Sequence, residues 1–81
     1  PNPFRDQISI DMQFKDTPED YELKVYNLKG ECVYKRCGYA KGSLTLDWDG
    51  RDARGARLGS GIYLLSLQTG DQRTSRKVIL Y

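Results

Sequence analysis

The sequence predicts an all-β domain, an Ig-like antiparallel β-sandwich of about seven short strands. Three observations lead there. Apolar and polar residues alternate with period two along several short stretches, turn residues interrupt these about every 8–12 positions, and no window carries a helical period. At 81 residues the chain has material for one modest core, so residues 1–81 are read as a single domain. It opens on Pro1 rather than Met, so a segment of a longer parent is the expectation.

Each element follows from its pattern. Ile8, Ile10, Met12 and Phe14 alternate with Ser9, Asp11 and Gln13, the signal of a half-buried strand. Asp16-Thr17-Pro18-Glu19-Asp20 breaks it with turn chemistry, and alternation resumes at Tyr21, Leu23 and Val25. Asn27 to Glu31 reads as a hairpin turn in which Gly30 supplies a positive φ, with Cys32-Val33-Tyr34 returning as the partner strand. Gly38 and Gly42 are expected to bracket a loop before a fourth strand at Leu44, Leu46 and Trp48. Residues 49–61 have no period and hold four glycines among Asp49, Arg51, Asp52, Arg54 and Arg57, which predicts a long, tightly turned loop. Ile62 to Leu67 is apolar on both parities, which predicts a strand near the middle of the fold and covered on both faces. Thr69 to Gln72 forms a second turn, and the last strand runs through Thr74, Arg76, Val78 and Leu80.

Little in the chain offers catalysis. With no histidine, the Ser-His-Asp and Cys-His dyads and most zinc sites are gone, and the glycines of 49–61 fit no phosphate-binding spacing. An enzyme, a cofactor and a metal site are therefore not expected. The net charge of +2 is far from that of a nucleic-acid domain, and no run approaches the ~18 apolar residues of a membrane span. Basic residues gather at Lys35-Arg36, at Arg51, Arg54 and Arg57, and at Arg73, Arg76 and Lys77. They suit either an anionic surface partner or a solvated face that blunts a sheet edge.

Asp47, Asp49 and Asp52 invite comparison with calcium ligands, but an EF-hand counted from Asp47 meets Asp52 where it needs Gly and Leu58 where it needs Glu. Asp49 and Asp52 are better read as acceptors that hold the loop's turns. Trp48 shares parity with Leu44 and Leu46, so it is expected in the core, with its indole N–H on a loop carbonyl, rather than as a sugar platform. Cys32 and Cys37 would lie roughly 16 Å apart on one regular strand, at ~3.3 Å per residue. A disulfide needs Cα atoms within about 7 Å, so both are read as thiols unless a bulge intervenes.

Three stretches, in order, resemble one family. Pro1-Asn2-Pro3-Phe4 resembles the opening motif of the C-terminal sorting domains of type IX secretion cargo. Val25 to Val33, with Gly30, resembles their hairpin, and Gly61-Ile62-Tyr63 with Lys77-Val78-Ile79-Leu80-Tyr81 resembles their last two motifs. The middle, Trp48-Asp49-Gly50-Arg51-Asp52 through Gly55 to Tyr63, also resembles the Ig-like domain of flagellar hook-cap proteins.

The resemblance implies a non-catalytic address for a parent cargo protein lying N-terminal to it. The parent would pass through the periplasm, and an outer-membrane translocon would recognise the domain. A sortase-like peptidase would then remove it, leaving cargo at the cell surface, secreted, or attached to an anionic lipopolysaccharide. Recognition would fall on Lys77, Val78, Ile79, Leu80 and Tyr81, with Gly61 and Tyr63 from the preceding motif. The closing strand's edge and carboxyl terminus would be what the translocon reads. The competing reading is a structural Ig-like module, of hook-cap type or a spacer or carbohydrate-binding domain of a surface enzyme. A sorting domain ends its parent, and the close on Leu80-Tyr81 fits that position.

Overall fold

A computed structural model describes residues 7–13, 19–70 and 72–81, with the backbone alone of Met12. Pro1, Asn2, Pro3 and Phe14 lie outside the described residues, as does most of the turn expected at residues 16–20. Six strands are described: β1 (Ile8–Gln13), β2 (Glu19–Tyr26), β3 (Cys32–Ala40), β4 (Ser43–Trp48), β5 (Gly61–Gln68) and β6 (Arg73–Leu80). They form two antiparallel sheets, β1-β4 and β3-β2-β5-β6, in a sandwich.

The core lies between the sheets and is drawn from alternate residues of each, as period-two patterning requires. Ile8, Ile10, Leu46 and Trp48 come from the small sheet, and Tyr21, Leu23, Val25, Tyr63, Leu65, Leu67, Val78 and Leu80 from the large one. Complete burial of such a side chain is worth about 1.5–3 kcal/mol, so these twelve hold the two layers together. The small sheet is also stitched on its outer face. Ser9 Oγ donates to Asp47 at 2.7 Å and Thr45 Oγ1 to Asp11 at 2.7 Å, both between directly opposed residues.

The β2–β3 hairpin turns as its residues predict. Gly30 has φ 84°, a conformation that a Cβ penalises. Asn27 Oδ1 accepts the backbone N–H groups of Lys29 and Glu31, each at 3.0 Å, while its amide donates to the Glu31 carboxylate at 2.9 Å.

Three expectations need correction. Gly38 does not open a loop: it lies inside β3, opposite Tyr21, and only Lys41 and Gly42 separate β3 from β4. The Tyr21 ring occupies the space where a Cβ on residue 38 would stand, so the glycine is there to admit an aromatic ring. Glu19 and Asp20 belong to β2 rather than to the preceding turn. Finally, β5 is central, between β2 and β6, but its second face is covered only in part: Ile62 and Leu64 are exposed, while Ser66 is buried. With two strands described in the small sheet, the sandwich's second layer lies on the inner face of the large sheet, and the opposite face of β5 is open at Ile62 and Leu64 and closed at Ser66.

Candidate recognition surface

The loop of residues 49–60, one residue shorter than expected because Gly61 opens β5, is built by its own side chains. Asp49 Oδ1 accepts Arg51 N–H at 3.2 Å, and Asp52 Oδ1 accepts Arg54 and Ala56 N–H, each at 2.9 Å. These aspartates therefore shape turns, and Asp47 is held by Ser9. Among the described residues no group of three or more His, Cys, Asp or Glu is placed to hold a metal ion. Gly50 is buried, and its carbonyl accepts Leu58 N–H at 2.9 Å.

Trp48 is 1% exposed and donates its indole N–H to the Arg51 carbonyl at 3.0 Å, which removes the sugar-platform reading. It packs edge-on against Tyr63, with ring centroids 5.5 Å apart, and the Tyr63 hydroxyl donates to the Gly59 carbonyl at 2.7 Å. Burial pushes the Tyr63 phenol above its ordinary range. The loop thus fastens to the start of β5, directly beside the end of β6, where Gly61 stands opposite Leu80.

The residues expected to carry recognition divide by parity along this β5–β6 pair. Val78, Leu80 and Tyr63 point into the core, at 0%, 2% and 8% exposure. Lys77, Ile79 and Tyr81 are exposed. Ile79 stands opposite Ile62, and Lys77 opposite Leu64, which in turn stands opposite Tyr26 of β2. Ile62, Leu64, Ile79 and Tyr81 are four of the six exposed large apolar residues of the described chain, and three of them form one contiguous outer stripe closed by Tyr81. A shallow depression of about 230 Å³, lined by Leu28, Gly61 and Ile62 among others, extends the stripe toward the β2–β3 turn. Sequence reading named Ile79 and Tyr81 but missed Ile62 and Leu64. The signal was present in the doubly apolar β5, whose second parity was assigned to a covering layer.

Beyond the stripe the outer face is charged. Glu22 pairs with Lys24 at 3.1 Å and with Lys35 at 3.2 Å. The hydrogen bond from Lys24, followed by that from Lys35, holds the Glu22 carboxyl below its ordinary range, and Glu22 raises the Lys24 ammonium above its own. A contiguous apolar stripe rimmed by charge is the usual anatomy of a protein-binding surface.

A two-sheet antiparallel β-sandwich with an apolar stripe on its final hairpin has the surface of a recognition module. The chain belongs to the secretion system C-terminal sorting domain family, which it matches over residues 1–81. It is a type IX secretion signal domain, serving export toward the outer membrane or cell surface. Two solved structures from Porphyromonas gingivalis share its fold. One is dimeric latent PorU, at 18% identity and TM-score 0.83, where the match covers 99% of this chain and 8% of that one. The other is PorZ, described as an essential surface component of the type IX secretion system, at 20% identity and TM-score 0.72, covering 100% of this chain and 11% of that one. The chain therefore corresponds in extent to about a tenth of either protein. No curated protein matches it.

Proposed function

We propose that the outer face of the β5–β6 pair is what an outer-membrane translocon reads on this domain, with Lys77, Ile79 and Tyr81 joined by Ile62 and Leu64. The observation that carries this is the contiguous stripe: four large apolar side chains, 36% to 55% exposed, on the last hairpin of a domain from a sorting family. Burying that stripe against a partner would desolvate apolar area that folding leaves in water. Val78, Leu80, Gly61 and Tyr63 serve recognition indirectly, by holding β6 against the core in the register that presents Ile79 beside Ile62.

The parent cargo, N-terminal to this domain, passes through the periplasm. After recognition, a sortase-like peptidase removes the domain, and the cargo is released or attached to an anionic lipopolysaccharide. The domain performs no chemistry in these steps.

Deleting Lys77 to Tyr81 would not test this reading, because the deletion also removes Val78 and Leu80 from the core. The discriminating experiment fuses the 81 residues to the C-terminus of a periplasmic reporter in a type IX-competent cell and compares the parent fusion with Ile62→Ser/Ile79→Ser. The expected result is surface reporter for the parent and periplasmic retention for the double variant, with both domains equally folded. Equal surface export of the double variant would overturn the assignment.

A further inference from the structure

Sequence spacing alone would put Cys32 and Cys37 on opposite faces of a strand, since they are separated by an odd number of residues. The structure places them on one face. The register of β2 with β3 shifts between Val25 and Tyr26, so that Val25 stands opposite Tyr34 and Tyr26 opposite Cys32, leaving Val33 as the extra residue of a bulge. Cys37 stands opposite Glu22, and both thiols therefore share the outer face with Glu22 and Tyr26. Both are exposed, and neither is in a disulfide. Cys32 Sγ lies 3.4 Å from the Tyr34 carbonyl, and Cys37 Sγ lies 3.8 Å from Glu22 Oε2.

β3 is the end strand of its sheet, and no described strand pairs with its outer side. The loop occupies one position there: Ala53 N–H donates to the Val33 carbonyl at 3.2 Å. The edge left for another strand runs from Tyr34 to Ala40, and Cys37 is its midpoint. An antiparallel pair of identical strands has a two-fold axis through its central residue. Pairing two copies about Cys37 sets Tyr34 opposite Ala40 of the second copy, Lys35 opposite Tyr39, Arg36 opposite Gly38, and Cys37 opposite itself.

Charge disfavours the neighbouring registers. Centring the pair on Arg36 sets Arg36 against Arg36, centring on Lys35 sets Lys35 against Lys35, and centring on Gly38 sets Lys35 against Lys41. Like charges directly opposed are unfavourable. Centred on Cys37, neither cation meets a like charge. Lys35 stands opposite Tyr39, which is 68% exposed in the single chain, for a cation–π contact. Arg36 stands opposite Gly38, which carries no side chain to oppose it.

We propose that the β3 edge is a self-pairing surface for a second copy of this chain, with the two Cys37 side chains at its two-fold axis, where an intermolecular disulfide can lock it. This goes beyond the secretion role and does not rest on it. Directly opposed residues of an antiparallel pair have Cα atoms about 4.5–5.5 Å apart, inside the window for a disulfide. The oxidant is a low-molecular-weight disulfide. One Cys37 thiolate attacks it, forming a mixed disulfide and releasing one thiolate. The second copy's Cys37 thiolate then attacks the first Cys37 sulfur and releases the other thiolate. One S–S bond forms as one breaks, and the two thiol protons pass to the released thiolates.

Oxidised glutathione, added to the 81-residue chain at micromolar concentration, tests this on non-reducing gels. Cys32→Ser should form dimer on the order of tenfold faster than Cys37→Ser, because pairing raises the effective concentration of Cys37 alone. Both thiols are exposed, so neither serine should disturb folding. The register is read separately, in chains carrying both serines: Lys35→Cys mixed with Tyr39→Cys should give the mixed dimer ahead of either homodimer. Equal dimer rates for the two single variants, or Lys35→Cys homodimers matching the mixed species, would overturn the proposal.

Discussion

The two faces of the β5–β6 hairpin carry side chains of the same chemical kind and put them to different uses. Tyr63, Leu65, Leu67, Val78 and Leu80 fill the space between the sheets, while Ile62, Leu64 and Ile79 stand one residue away along the same strands and face solvent. The inner set is required by folding, because leaving it in water would forfeit the burial that balances chain entropy. The outer set contributes less to that balance, and a contiguous apolar stripe rimmed by charge on a small domain points to a partner. Stability and recognition are thus separated by strand parity, and each face should answer to its own measurement.

The largest effect on stability should come from the inner face. Leu65→Ala opens a cavity in the middle of the core and should cost about 2–5 kcal/mol in urea unfolding. If Leu64→Ala, its outward neighbour, cost as much, the separation of faces would fail. Tyr63→Phe removes a buried hydrogen bond to Gly59 and should cost about 0.5–1.5 kcal/mol at neutral pH.

The raised Tyr63 pKa has a sign that can be checked. Its contribution is complete below the ordinary value of 10.0 and is lost as pH rises through the higher folded value. Alkaline unfolding of the parent should therefore be steeper than that of Tyr63→Phe. Glu22, on the outer face, behaves in the reverse sense. Its lowered pKa contributes above the ordinary value of 4.5 and is lost as pH falls through the folded value, so Glu22→Gln should flatten stability on the acid side. Both partners are solvent-accessible and screened, which makes this a small slope and one that salt reduces.

The stripe should lose less stability than the core. Ile62→Ser and Ile79→Ser should each cost about 1 kcal/mol, less than Leu65→Ala, while export of a fused reporter is lost. Large loss of stability in either would place these residues in the core's service instead.

Much of the fold was legible in residue order. Tyr21, Leu23 and Val25 are buried as their alternation requires, Gly30 has the positive φ its turn needs, and Asp49, Asp52 and Trp48 make the loop contacts that their chemistry suggests. These are local matters, decided by side chains within a few positions of one another. The misreadings are of another kind. Gly38 looked like a loop glycine because its reason, the Tyr21 ring, lies across the sheet. The second apolar parity of β5 looked like core because sequence shows composition and not which layer stands opposite.

The sequence by itself therefore determined the class of fold, the hairpins and the self-capped loop, since period two and turn chemistry act over short separations. Tertiary structure decided which apolar residues of the last hairpin face solvent, and that a bulge at Val33 brings Cys32 and Cys37 to one face. Both depend on the register and layering of strands far apart in the chain. One residue of slip reverses every side chain, and only the assembled sandwich fixes it.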